Sequence, residues 1–195
     1  MAIVRNEKGV TLLEVLTVVA VMMLLTVGSI FTVSNILPTL RADSGLEQVL
    51  IQLRQARLNS IDQRRDFTVT FTGTHELVVV RQEVVPTPCP CPTTAISDTF
   101  LPQGMVYMLF TGPPALPDTP DLFGKANALN FNCPGGVAPC SILFQSDGSV
   151  LSNGVLLNGT VFMGIAGNAK TARAVTVMGS TGRMRGYHCT GTVWF

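Results

Sequence analysis

The sequence predicts an α+β fold, a long N-terminal helix that anchors the chain in a membrane and then an antiparallel β-rich head, and three observations predict it. Between Glu14 and Arg41 no ionisable side chain occurs. After Arg41, apolar residues recur at helical spacing. From Asp66 the period changes to two.

The uncharged stretch is almost wholly apolar from Val15 to Val33, close to the roughly 20 residues that cross a bilayer core as a helix. Charged residues make up 13% of the chain and its mean hydropathy is +0.40, a balance unlike that of a soluble enzyme. At 195 residues the chain holds one ordinary domain plus an appendage. Leu46, Val49, Leu50, Leu53 and Ile61 fall near i, i+3, i+4 and i+7, with Gln52, Arg54 and Arg57 on other faces. That pattern is an amphipathic helix. Joined to the span, it predicts one helix from about Val10 to Gln63, bent at Pro38.

Phe67, Val69 and Phe71 alternate with Thr, and Thr72-Gly73-Thr74 leads into Leu77 to Val80, which reads as a β-hairpin. Further strands are expected at Met105 to Phe110, Ala128 to Phe131, Ile142 to Gln145, Gly154 to Ile165, Ala174 to Met178 and Thr192 to Phe195. Pro86 to Pro102 and Gly112 to Pro120, rich in Pro and Thr, read as exposed loops. The expected divisions are therefore a leader at 1–9, a transmembrane and assembly half of the helix at 10–40, and the amphipathic half with the head at 41–195.

The first nine residues are polar and carry Arg5 and Lys8, which favours keeping that end cytoplasmic. A secretory signal is cut after its apolar region. Here the plausible cut, between Gly9 and Val10, precedes that region, so the apolar segment is retained. Lys8-Gly9-Val10-Thr11-Leu12-Leu13-Glu14 followed by a long uncharged run resembles the prepilin signature, although Val10 stands where that signature usually has phenylalanine. The resemblance implies cleavage by a prepilin peptidase and N-methylation of Val10. A carboxylate in an apolar span is costly and is normally matched to a partner. The amine that cleavage exposes on Val10, of a neighbouring subunit or its own, would match Glu14 and set assembly register. The plainer alternative is an interfacial glutamate at the end of an ordinary signal anchor.

Leu50-Ile51-Gln52-Leu53-Arg54-Gln55-Ala56-Arg57-Leu58-Asn59-Ser60 before a hairpin, Ile142-Leu143-Phe144-Gln145-Ser146-Asp147-Gly148-Ser149-Val150, and Gly182-Arg183-Met184-Arg185 resemble the GspH/FimT family of minor pseudopilins and minor pilins. The family implies a pilin-like head and a subunit of a type II secretion pseudopilus or a type IV pilus, acting in filament priming or tip assembly. Its implied partners are other pilin or pseudopilin subunits, prepilin peptidase and the inner membrane. Its implied location is the bacterial inner membrane, crossed once, with the head extracytoplasmic in the periplasm or at a filament tip.

A second reading concerns DNA as partner in natural transformation. Removing the leader leaves 11 basic and 11 acidic residues, 13 less Arg5 and Lys8 against 12 less Glu7. Net charge thus names no partner. After Asp147, however, no Asp or Glu occurs, while Lys170, Arg173, Arg183 and Arg185 remain. In the FimT branch a Gly-Arg-x-Arg motif is associated with DNA binding, and Arg183 and Arg185 match it. Such a cation set would give weak, salt-sensitive and sequence-independent attachment. A solvated basic edge guarding a terminal strand explains the same residues.

Cys89, Cys91, Cys133, Cys140 and Cys189 all lie in the segment expected outside the cytoplasm, where disulfides form. Cys133 and Cys140 close a short loop and are the expected bridge. Cys189 can join Cys89 or Cys91. Cys89-Pro90-Cys91 with His188-Cys189 matches no standard zinc spacing, so neither a metal nor another cofactor is expected. His75 reads as a loop residue. G-x-S-x-G, P-loop and GxGxxG patterns are absent, and Asp147-Gly148 reads as a turn. The expectation is that the chain is not an enzyme, with a membrane-anchored hydrolase as the remote alternative.

Overall fold

The computed structural model describes residues 10–83, 93–110, 120–124, 126–131, 133, 138–189 and 193–195, with the side chains of 27–35 and 120 left aside. Gly9, Cys89 and Cys91, on which the cleavage site and the Cys189 pairing depend, lie outside the described residues. The chain divides into two compact units, Met1–Pro38 and Thr39–Phe195.

The helix α1 runs Leu12–Gln63 with Pro38 inside it. Thr11 caps it: its hydroxyl accepts the backbone N–H of Glu14 at 3.2 Å, satisfying one of the N–H groups a helix start leaves without a partner. Among the described residues no helix is long and apolar enough to cross a membrane. The expected span, Val15 to Val33, depends in part on side chains that are not described.

In the second unit α1 buries Ala42, Leu46, Val49, Leu50, Leu53 and Ala56, an i, i+4, i+7 stripe of the kind that seats a helix on a core. The phase of that stripe corrects one expectation. It continues to Ser60, which is fully buried with its hydroxyl on the Arg57 carbonyl at 2.7 Å, and so it turns Ile61 outward.

Among the described residues ten antiparallel strands form two sheets. The first contains β1 (Phe67–Thr72), β2 (Glu76–Gln82), β3 (Thr93–Phe100), β5 (Cys140–Phe144), β6 (Val150–Ser152) and β7 (Val155–Leu156), in the order β3-β2-β1-β5-β6-β7. The second contains β4 (Met105–Tyr107), β8 (Gly159–Ile165), β9 (Arg173–Val177) and β10 (Met184–His188), in the order β10-β9-β8-β4. Inward alternation on β1 buries Phe67, Val69 and Phe71, and β5 answers with Cys140, Ile142 and Phe144. The register sets Val69 opposite Ile142. In the interior Phe71 stacks on Phe131 and meets Tyr107 edge to face. α1 touches both sheets: the Gln52 side chain meets Ser97 of β3 at 2.8 Å, and Leu46 and Leu50 lie where a Cβ on Gly186 of β10 would stand.

Several strand boundaries differ from expectation. β3 occupies sequence expected as loop, because its Thr-rich, mostly exposed residues lie on a sheet edge, where burial asks for no alternation. Ala128 to Phe131 makes only a bridge between Leu129 and Val161, although Leu129 and Phe131 are buried. The expected strand from Gly154 to Ile165 is two, β7 and β8, separated at Leu157-Asn158, where the Asn158 side chain accepts the Gly179 N–H at 2.8 Å. Near the C-terminus the described pairing is Trp194 with Cys189.

Candidate functional site

Three separated stretches, the α1 segment around Arg57, the turn between β5 and β6, and the turn between β9 and β10, meet at one place in the head. Arg57 Nε donates to the Gly148 carbonyl at 3.4 Å. Gly182 packs on both: a Cβ there would overlap the Gly148 carbonyl oxygen and lie 2.7 Å from Arg57 Nε. Gly182 also has φ +61, backbone that only glycine adopts readily. The two glycines thus clamp the Arg57 stem.

Beside this clamp a groove of about 610 Å³ is lined by Arg54, Arg57, Leu58, Met178, Thr181, Gly182, Arg183 and Met184. Arg54, Arg57 and Leu58 share a helix face by their i, i+3, i+4 spacing. Met178 and Met184 flank the hairpin turn, with Met184 opposite Val177 in the ladder. Among the described residues none of the three guanidinium groups meets a carboxylate. Asp147, on the neighbouring turn, directs Oδ1 to the Ser149 N–H at 2.8 Å.

The four cations expected to form a basic end do not form one patch. Arg173 is corrected outright. It is 5% exposed, its Nε and Nη2 lie 2.8 Å and 2.7 Å from Asp43 Oδ1, and its Nη1 donates to the carbonyls of Lys170 and Ala172. It is not available to a phosphate. His188 Nδ1 reaches the same Asp43 oxygen at 3.1 Å. Lys170 is exposed but sits in the 3₁₀ turn Ala169–Thr171 beside Arg173, about 16 Å along the strands from the Arg183 turn at roughly 3.3 Å per residue. Arg185 is exposed and 3.5 Å from Asp121 Oδ1; Tyr187 first, and Asp121 after it, favour its charged form. Of the four, Arg183 alone stands on the groove.

Arg54 and Arg57 were absent from the sequence-based site. Their i, i+3 spacing on an amphipathic helix was visible, but such cations are ordinarily a solvated face. The acidic residues that quench the basic end, Asp43 and Asp121, lie far upstream in the chain.

Of the other expected site residues, Cys133 and Cys140 form a disulfide, with Cα atoms 5.3 Å apart. Cys189 is buried. Val10 is exposed just ahead of α1, and Glu14 lies in its first turn, where the helix dipole favours a negative charge. The model of the prokaryotic N-terminal methylation motif matches residues 4–30. The chain carries that motif at its N-terminus. Over 75% of this chain and 94% of the other, the fold is similar to the minor pseudopilin EpsH from the type 2 secretion system of Vibrio cholerae, with 17% identity and a TM-score of 0.46. No curated protein matches.

Proposed function

We propose that the chain is a pilin-like structural subunit, a minor pilin or pseudopilin of a type IV pilus or a type II secretion pseudopilus, and not an enzyme. The observation that carries this reading is the methylation motif at residues 4–30, a stretch that includes Gly9, Val10 and Glu14; the helix Leu12–Gln63 and the two antiparallel sheets support it. In this reading prepilin peptidase cuts between Gly9 and Val10, Val10 is N-methylated, and residues 10–40 hold the subunit in the inner membrane with the head on the extracytoplasmic side. Glu14 then pairs with the Val10 amine of a neighbour and fixes the axial register, since an apolar filament core rewards the match of one carboxylate with one amine. Priming or tip assembly is the step assigned to it. DNA binding keeps only Arg183 and Arg185 of its original support near the hairpin turn, with Arg185 already facing Asp121.

The mass and N-terminal sequence of chain recovered from the membrane test this reading. The expected product begins at methylated Val10, Gly9→Val leaves the precursor uncut, and Glu14→Ala is processed and inserted yet enters filaments poorly. A mature chain beginning beyond Val33, or full incorporation of Glu14→Ala, would sink it.

A further inference from the structure

We infer that the groove between α1 and the β9–β10 turn docks an acidic, amphipathic polypeptide segment of a neighbouring subunit. The inference rests on the filament-subunit reading for the identity of the partner, and on the groove itself for the chemistry. Three guanidinium groups, from Arg54, Arg57 and Arg183, stand around a floor of Leu58, Met178 and Met184. None meets a carboxylate among the described residues, whereas Arg81, Arg173 and Arg185 in the same head each do. Arginine at the rim of an apolar depression suits planar carboxylates, which it holds bidentately, and methionine adapts to the side chain that fills the space.

The apolar surface does not stop at the groove. Leu58 is 62% exposed, and Ile51 and Ile61, one helical stripe with it at i−7 and i+3, are also exposed. The strip runs about 15 Å along α1 at 1.5 Å per residue. An apolar strip with a cationic edge of that length is complementary to an amphipathic segment carrying Asp or Glu beside aliphatic or aromatic anchors. Nucleic acid fits it less well. Among the described residues no aromatic side chain lines the groove, so bases have no stacking platform, and a phosphodiester chain would leave the exposed face of Leu58 without an apolar cover.

Arg57 is the positioning residue. Its stem is held by Gly148 and Gly182, while Arg54 and Arg183 are the exposed pair that a partner reaches.

The test uses the full chain in detergent micelles and fluorescence anisotropy with three probes: a short amphipathic peptide with glutamates along one edge of a leucine face, the same peptide with lysines, and a short DNA duplex. The chain should bind the glutamate peptide and not the lysine peptide. Arg54→Gln with Arg183→Gln should weaken that binding about three- to tenfold, the worth of two rim ion pairs, with unchanged circular dichroism, and the paired lysine substitutions should restore part of it. Equal binding of the two peptides, or binding unaltered in the glutamine variant, overturns the inference. So does duplex DNA that displaces the peptide at lower concentration, which makes nucleic acid the occupant, or self-association that needs the same arginines without peptide binding, which makes it a second copy. The N-terminal mass of the same preparation separates the two ideas: correct processing without peptide binding defeats the docking surface alone, and incorrect processing defeats the filament reading.

Discussion

Arg173 and Arg183 belong to the same hairpin, carry the same side chain, and do opposite things. At one end of β9 and β10, Arg173 is buried and shares Asp43 with His188. At the other, Arg183 is exposed in the turn beside two more arginines. The difference comes from what α1 lays against each end: Asp43 near the start of the second unit, Arg54 and Arg57 three turns later. A charge count along the sequence cannot see this, because the helix supplies the counter-charge at one end and more of the same charge at the other. The first end is a fastening between helix and sheet, and the second is a surface.

The largest expected effect comes from breaking that fastening. Asp43→Ala leaves the Arg173 guanidinium buried with only two carbonyl partners, and a loss of about 3 kcal/mol is expected, the low end for breaking a buried pair because Asp43 is itself 43% exposed. Arg183→Gln should change stability by no more than about 0.5 kcal/mol, as for other exposed substitutions. Denaturant unfolding of the two variants in parallel decides the matter. If the two lose similar stability, the contrast between the hairpin ends is false.

A second prediction sharpens the role of the turn. Gly182→Ala puts a Cβ into the Gly148 carbonyl and against Arg57 at a positive φ, which alone costs about 1–2 kcal/mol; with the overlap, a loss of about 2–3 kcal/mol is expected. It should also loosen Arg57. Gly154, at φ +75 with nothing near its missing Cβ, is the control: the same substitution there carries the backbone cost and no overlap. Equal losses at the two glycines would mean that the clamp contributes nothing.

Periodicity made α1, β1 and β2 legible, because each buries one face and the sequence must alternate to match it. It failed at β3, an edge strand whose Thr93 to Phe100 are mostly exposed, so that composition reads as loop. The sequence also placed Cys133 and Cys140 together, since a loop so short leaves few other partners. The contact of Arg173 with Asp43 spans 130 residues, and nothing local to either announces it. The convergence of Arg57, Gly148 and Gly182 was likewise hidden, though each lay in a stretch that resemblance had picked out. Those stretches had looked like independent motifs and are one clamp.

The smallest effect concerns Asp147, the acid next to the clamp. Ser149, through its hydroxyl and its backbone N–H, holds the Asp147 carboxyl below its ordinary value. A carboxylate depressed in the folded state contributes stability above its unfolded value, and that contribution is lost as pH falls through the folded one. The window therefore opens as pH drops below about 4, the ordinary aspartate range, and closes further down. Asp147→Asn should flatten part of the acid limb of the stability profile and leave the plateau near neutrality only slightly lower, because the side chain is exposed. It will not flatten all of it, since Arg81 first and Thr94 next depress Glu83 in the same way. Unfolding midpoints measured from pH 6 to about 3 for the parent, Asp147→Asn and the double variant with Glu83→Gln give the check. An acid limb unchanged by Asp147→Asn would show that the turn holding Gly148 against Arg57 owes nothing to this carboxylate.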